Sequence, residues 1–112
     1  MKLQFDAIPV TELPNFQGGE GVFRVNMYTD ELGKIIRGRL APGTSIGMHT
    51  HEDSSETVYV LSGAGKAICD GREERLGPGD CHYCPQGHSH SIINDSAAGD
   101  LVFVAVVPVH AQ

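Results

Sequence analysis

Residues 43–63 read GTSIGMHTHEDSSETVYVLSG, and residues 79–94 read GDCHYCPQGHSHSIIN. The first stretch sets His49 and His51 two residues apart between β-type runs. Side chains at i and i+2 of a strand leave the same face, so both imidazoles point one way. Glu56 follows a polar turn at 52–55 and opens the apolar run 57–61, where it can lie across a strand pair from the two histidines. His90, in the second stretch, is the fourth candidate. Three imidazoles and one carboxylate suit one divalent first-row metal ion per chain. Octahedral coordination would leave two positions for water, substrate or dioxygen. Gly47 counts to the same face as His49, which would leave room beside the metal.

By spacing, the first stretch is Gly43, five residues, His49-x-His51, four residues, Glu56, six residues, Gly63. The second is Gly79, five residues, Pro85-x-Gly87, two residues, His90, three residues, Asn94. The pair resembles the two motifs of the cupin superfamily with every position filled, and the fifteen-residue spacer 64–78 is similar to that of small microbial cupins. The resemblance implies an all-β, antiparallel double-stranded β-helix, the jelly-roll barrel, with His49, His51, Glu56 and His90 binding metal inside it. It also implies manganese or iron(II) as working metal, a homodimer, and Asn94 as a fold-keeping residue. Raw affinity at such a site follows the Irving–Williams order, so nickel or zinc would be acquired during purification.

A chain of 112 residues makes one domain, 1–112, with a real core. The net charge of −6, from 8 basic and 14 acidic residues, argues against nucleic-acid or anionic-membrane partners. No apolar run approaches the length of a membrane span. The first ten residues, MKLQFDAIPV, lack the apolar segment and cleavage site of a secretory signal. Three cysteines cannot all pair, which fits a reducing cytoplasm. The 14 glycines and 6 prolines are dispersed as the turn punctuation that many short strands need.

Residues 1–21 read as an arm with β-like pieces at 3–5 and 8–10 and a turn-rich connector at 14–21. Too short for its own core, it lies along the edge of the main sheet or reaches a neighbouring subunit. Residues 22–28 alternate as a half-buried strand. In 34–41, Ile36, Gly38 and Leu40 share one face, and Ile35, Arg37, Arg39 and Ala41 the other. Val58 and Val60 should point inward with Glu56. Asp70-Gly71 predicts a two-residue hairpin turn between 66–69 and 73–76. The run LVFVAVV at 101–107 predicts a strand covered on both faces, by the barrel core and by another layer, and 108–112 should be loose. Nine or ten such strands without a helical period close most naturally as a jelly roll.

Other residues carry alternatives. Cys81-x-x-Cys84 has a metal or redox spelling, but a spacing of three on a strand sends the thiols to opposite faces, which favours structural cysteines. His82 and Cys84 then share a face, and His82 lies either on the pocket wall or on the surface. His88 mimics a second His-x-His with His90 and reads as a surface residue or a support, not a ligand. Arg24, Arg37 and Arg39 either belong to a solvated sheet face or bind a substrate carboxylate or phosphate. Glu52 and Asp53 are either exposed or a mobile general acid at the pocket mouth. A divalent ion with one carboxylate gives a formal site charge of +1, which favours a small anionic or enolisable ligand. The leading reading is a metal-dependent enzyme of dioxygenase, decarboxylase or isomerase type, and its rival is a non-catalytic binding or sensing module.

Overall fold

A computed structural model describes residues 1–110. Ten strands follow one another: β1 (Thr11–Pro14), β2 (Val22–Asp30), β3 (Gly33–Leu40), β4 (Ser45–Thr50), β5 (Glu56–Ser62), β6 (Gly65–Cys69), β7 (Arg72–Leu76), β8 (Cys81–Cys84), β9 (Ser89–Ile93) and β10 (Leu101–Pro108). Short 3₁₀ turns at Phe5–Ala7 and Phe16–Gly18 are the only helical pieces among the described residues. The strands form a six-stranded sheet in the order β1-β2-β3-β10-β5-β8 and a four-stranded sheet in the order β4-β9-β6-β7, antiparallel throughout. Two antiparallel sheets face to face make the double-stranded β-helix expected from the motifs.

Period-two patterning places the core between the sheets. Phe23 and Val25 of β2, Leu40 of β3, Val58 and Val60 of β5, and Leu101, Phe103 and Ala105 of β10 are buried against Ile46, Ala67 and Ile92 of the smaller sheet. Phe23 stacks on Phe103 with ring centroids 5.8 Å apart. Both rings lie over Gly38, where a Cβ would come within 2.7 to 2.8 Å of them. An alanine there would collide with two large side chains of the packed core.

Several expectations shift. The arm contributes its strand at Thr11–Pro14, not at 3–5 or 8–10. That strand pairs with β2 in a register that sets Leu13 opposite Phe23, so the arm lies along the sheet edge. Pro14 ends it, a position open to proline on an edge strand. The Asp70-Gly71 turn forms as expected, with both φ angles positive (53° and 77°). Strand β10 is covered on its inner face only: Val102 and Val104 are half-buried and Val106 is exposed. Residues 109 and 110 are also better held than expected. Val109 bridges to Ser54, the His110 N–H donates to the Asp53 carbonyl (2.7 Å), and the His110 ring lies 2.8 Å from Ser55 Oγ. Residues 111 and 112 lie outside the described residues.

Candidate metal centre

Register brings the four motif residues to one point. His49 on β4 is paired directly with His90 on β9, across the smaller sheet. Glu56 opens β5 on the opposite sheet, its side chain turned inward like those of Val58 and Val60. His51 lies just beyond β4, and the Pro85–Gly87 corner holds it there. The Gly87 N–H donates to the His51 carbonyl (2.6 Å), and the His51 N–H donates to the His88 carbonyl (3.1 Å).

The Nε2 atoms of His49, His51 and His90 stand 3.0 to 3.2 Å from one another. Glu56 Oε1 is 3.0 Å from His51, 2.9 Å from His90 and 3.8 Å from His49. Neighbouring donors on an octahedral ion with bonds of about 2.1 Å stand about 3.0 Å apart, so the cluster has the dimensions of such a site. Each imidazole is also turned by a partner on its other nitrogen. His49 Nδ1–H donates to the Gly47 carbonyl (2.8 Å), His51 Nδ1 meets Ser54 Oγ (2.8 Å), and His90 Nδ1 meets His82 Nε2 (2.9 Å). A carbonyl only accepts, so His49 carries its proton on Nδ1 and aims a lone pair inward. Acceptor atoms packed this closely need positive charge among them, and these four residues could hold a metal ion.

The electrostatics match. Burial alone would raise the Glu56 carboxyl, but the imidazoles of His49, His51 and His90 gathered around it hold it well below the ordinary carboxylate range. Burial works to lower the His49 pKa, yet the nearby Glu56 carboxylate and the Gly47 carbonyl together raise it. For His90 burial prevails over Glu56, and its pKa falls.

Beside the cluster lies a cavity of about 80 Å³, walled by Phe16, Phe23, Ile36, Ile46 and Val107 with Gln17, Lys34, His49, His51 and Glu56. It is far smaller than the roughly 300–1,000 Å³ of clefts for drug-sized ligands. Lys34 is the residue that sequence reasoning missed. It has the strand parity of Ile36, Gly38 and Leu40, which was the available signal. It makes no ion pair among the described residues.

The arginines do not share that place. Arg37 pairs with Asp6 (2.6 Å) and donates to Asn26 Oδ1, while Arg24 pairs with Glu12 (3.1 Å). With Arg39 they line a separate crevice under the arm, on the outer sheet face. Glu52 and Asp53 are exposed and do not line the metal cavity. Gly47 is not on the ligand face. A β-bulge between Ile46 and His49 inserts a residue, so Ile46 and His49 both turn inward and Gly47 turns out. Its missing side chain admits the backbone of the arm, for a Cβ there would lie 2.0 Å from the Gln17 carbonyl oxygen.

Cys81 is exposed and Cys84 buried, on opposite faces as expected, and burial pushes the Cys84 thiol up to about 12. Such a thiol is inert as a thiolate nucleophile. His82 is neither on the cavity wall nor on the surface. It is buried behind His90, with ring centroids 5.2 Å apart. His88 is exposed and bonded to Asp70, away from the cluster.

Known proteins carry the same architecture. Residues 36–107 match the family model described as the cupin domain. An oxalate-binding protein of Thermotoga maritima is 32% identical over 96% of this chain and 93% of its own length. The crystal structure of a predicted oxalate decarboxylase from Thermotoga maritima superposes with a TM-score of 0.88 at 30% identity, covering 97% of this chain and 99% of that one. The polyketide cyclase RemF of Streptomyces resistomycificus shares the fold, with a TM-score of 0.75 at 22% identity over 96% of this chain and 78% of that one. No helix among the described residues is long and apolar enough to cross a membrane. With a family model spanning most of the chain and a relative alike over nearly its whole length, the chain belongs to the cupin family.

Proposed function

We propose that this protein binds one divalent metal ion through His49, His51, Glu56 and His90, and captures a small carboxylate anion of oxalate size beside it. The convergence of three imidazole Nε2 atoms and one carboxylate oxygen, each ring anchored from behind, carries the reading. A bound divalent ion would supply Lewis-acidic positive charge, with manganese or iron(II) as the functional ions and zinc a passive occupant. The cavity admits only a few atoms beyond the ion, and its apolar walls thin the surrounding water. Lys34 supplies the remaining cation for a second carboxylate group. The relative's name, oxalate-binding protein, points to the same ligand class.

Turnover, as a decarboxylase or dioxygenase, is the reading that coordination positions left open by four protein donors favour. Simple binding is favoured by the wall itself, where Lys34 is the only acid or base beyond the donor residues among the described residues. Calorimetric titration of the manganese-loaded protein with oxalate, followed by assay for carbon dioxide and formate, separates the two. Saturable binding is the expected result, and no binding of oxalate or any two- to four-carbon acid would defeat the ligand class. Lys34→Ala should weaken oxalate by about five- to tenfold, the loss of one charged contact, while leaving metal affinity unchanged. An unchanged oxalate affinity would remove Lys34 from the site.

We also infer a homodimer. The outer face of the larger sheet exposes Tyr59 (47%), Tyr83 (57%), Leu61 and Val106, and β10 brings half-buried Val104 between them. A two-fold pairing of this face would cover the apolar strand that the single chain leaves half open. Sedimentation at micromolar concentration should give twice the chain mass, with Tyr59→Glu a monomer. A monomeric wild-type protein would end this idea.

A further inference from the structure

Behind the metal centre, two side chains outside the cupin motif positions, Glu74 and His82, form a line that ends on His90. Glu74 sits on β7, the edge of the smaller sheet, with its side chain 55% exposed. His82 sits on β8, the edge of the larger sheet, with its side chain 1% exposed. Glu74 Oε1 lies 2.5 Å from His82 Nδ1, and His82 Nε2 lies 2.9 Å from His90 Nδ1. The line thus crosses the seam between the sheets twice, from β7 to β8 and back to β9. The His82 and His90 rings lie nearly parallel, 17° between planes.

We propose that Glu74 and His82 are positioning residues that fix His90 in the tautomer able to ligate metal. An ionised carboxylate accepts hydrogen bonds and donates none, so the proton between Glu74 and His82 belongs to His82 Nδ1. Nε2 of the neutral His82 ring is then an acceptor, and the proton it receives belongs to His90 Nδ1. The His90 Nε2 lone pair is left facing His49, His51 and Glu56. The reverse polarity fails at both ends. It would put a proton on His90 Nε2 inside the donor cluster, and set a bare His82 Nδ1 against the Glu74 carboxylate. The polarity of a buried ligand is thus set by a surface carboxylate, through an imidazole that touches neither the cavity nor the ion.

The inference rests on the metal-centre reading, and zinc alone is the probe. In the zinc-loaded wild-type protein, nitrogen NMR of the imidazoles should find His82 and His90 both protonated at Nδ1, with His90 bound through Nε2. Replacing a partner behind a metal-bound histidine costs about 10–100-fold in metal affinity, and His82→Leu should fall in that range. Glu74 is exposed, so its variants should melt like wild type without metal. Glu74→Ala should weaken zinc by about three- to tenfold, while Glu74→Gln, which keeps an accepting oxygen, should stay within about twofold. This difference at equal stability is what a merely structural role would not produce. A proton on His82 Nε2, or a Glu74→Ala affinity equal to wild type, overturns the proposal even if His82→Leu does not fold. Wild-type protein that binds no zinc overturns the metal centre as well, whereas binding indifferent to Glu74 and His82 overturns this inference alone.

Discussion

His49→Ala and His90→Ala are each expected to reduce metal affinity by about 10²-fold or more. Four-donor zinc sites are worth roughly 10–16 kcal/mol in apparent binding free energy, so one donor in four accounts for about 3 kcal/mol. The two variants differ in what else they do. His90 is fully buried between the sheets, so its removal also leaves a void and takes the acceptor's partner from His82. His49 keeps an exposed edge at the cavity, so its truncation reads the donor more cleanly. Metal analysis after dialysis against a weak chelator should find stoichiometric metal in wild type and little in either variant. A ligand that binds the native state raises stability by RT ln(1 + [L]/Kd), so added metal should raise the melting temperature of wild type and not of the variants. Stoichiometric metal in both variants would refute the assignment.

The clustering of His49, His51, Glu56 and His90 was legible because it depends on strand parity and on motif spacing, and both survive in the fold. Parity counting fails where a residue is inserted. It put Gly47 on the ligand face, but the bulge between Ile46 and His49 turned it toward the arm. The arm's strand was misplaced for another reason. Short apolar runs at 3–5 and 8–10 suggested pairing, but an edge strand forms where a partner's free edge and a core contact meet, here Leu13 beside Phe23. Lys34 was legible in principle from the inward parity it shares with Ile36, yet a lysine at a strand end reads as solvated. Glu74 gave no signal at all. It stands in a charged hairpin strand, REERL at 72–76, and its meeting with His82 is made only by the seam between sheets. The run at 101–107 announced a buried strand correctly for Leu101, Phe103 and Ala105, while the cover for Val104 and Val106 is not supplied by the single chain.

Asn94→Ala should lower stability by about 3–5 kcal/mol while leaving the zinc affinity of the folded protein within about threefold. The residue is fully buried just past β9, and its side chain serves three backbone groups. Nδ2 donates to the carbonyls of Leu40 (2.8 Å) and Gly99 (2.9 Å), and Oδ1 accepts from the Ser96 N–H (3.0 Å). Its backbone meanwhile pairs with Gly43 and Thr44, so one residue ties the β3–β4 turn to the β9–β10 loop. Alanine abandons all three side-chain partners, each costing about 1–3 kcal/mol where water cannot replace the bond. Leu40 is fully buried, so its carbonyl is the least replaceable. For a chain of this size the loss corresponds to a melting temperature lower by about 15–25 °C. Asn94→Asp separates the two halves of the side chain. It keeps an acceptor for Ser96 but turns a carboxylate oxygen toward two carbonyls, so it should be at least as damaging as alanine. A melting point within about 2 °C of wild type would show that the amide is not a tie. Unchanged stability with lost zinc would instead make Asn94 part of the metal centre, against its place at a turn that holds the β9 end, four residues beyond His90.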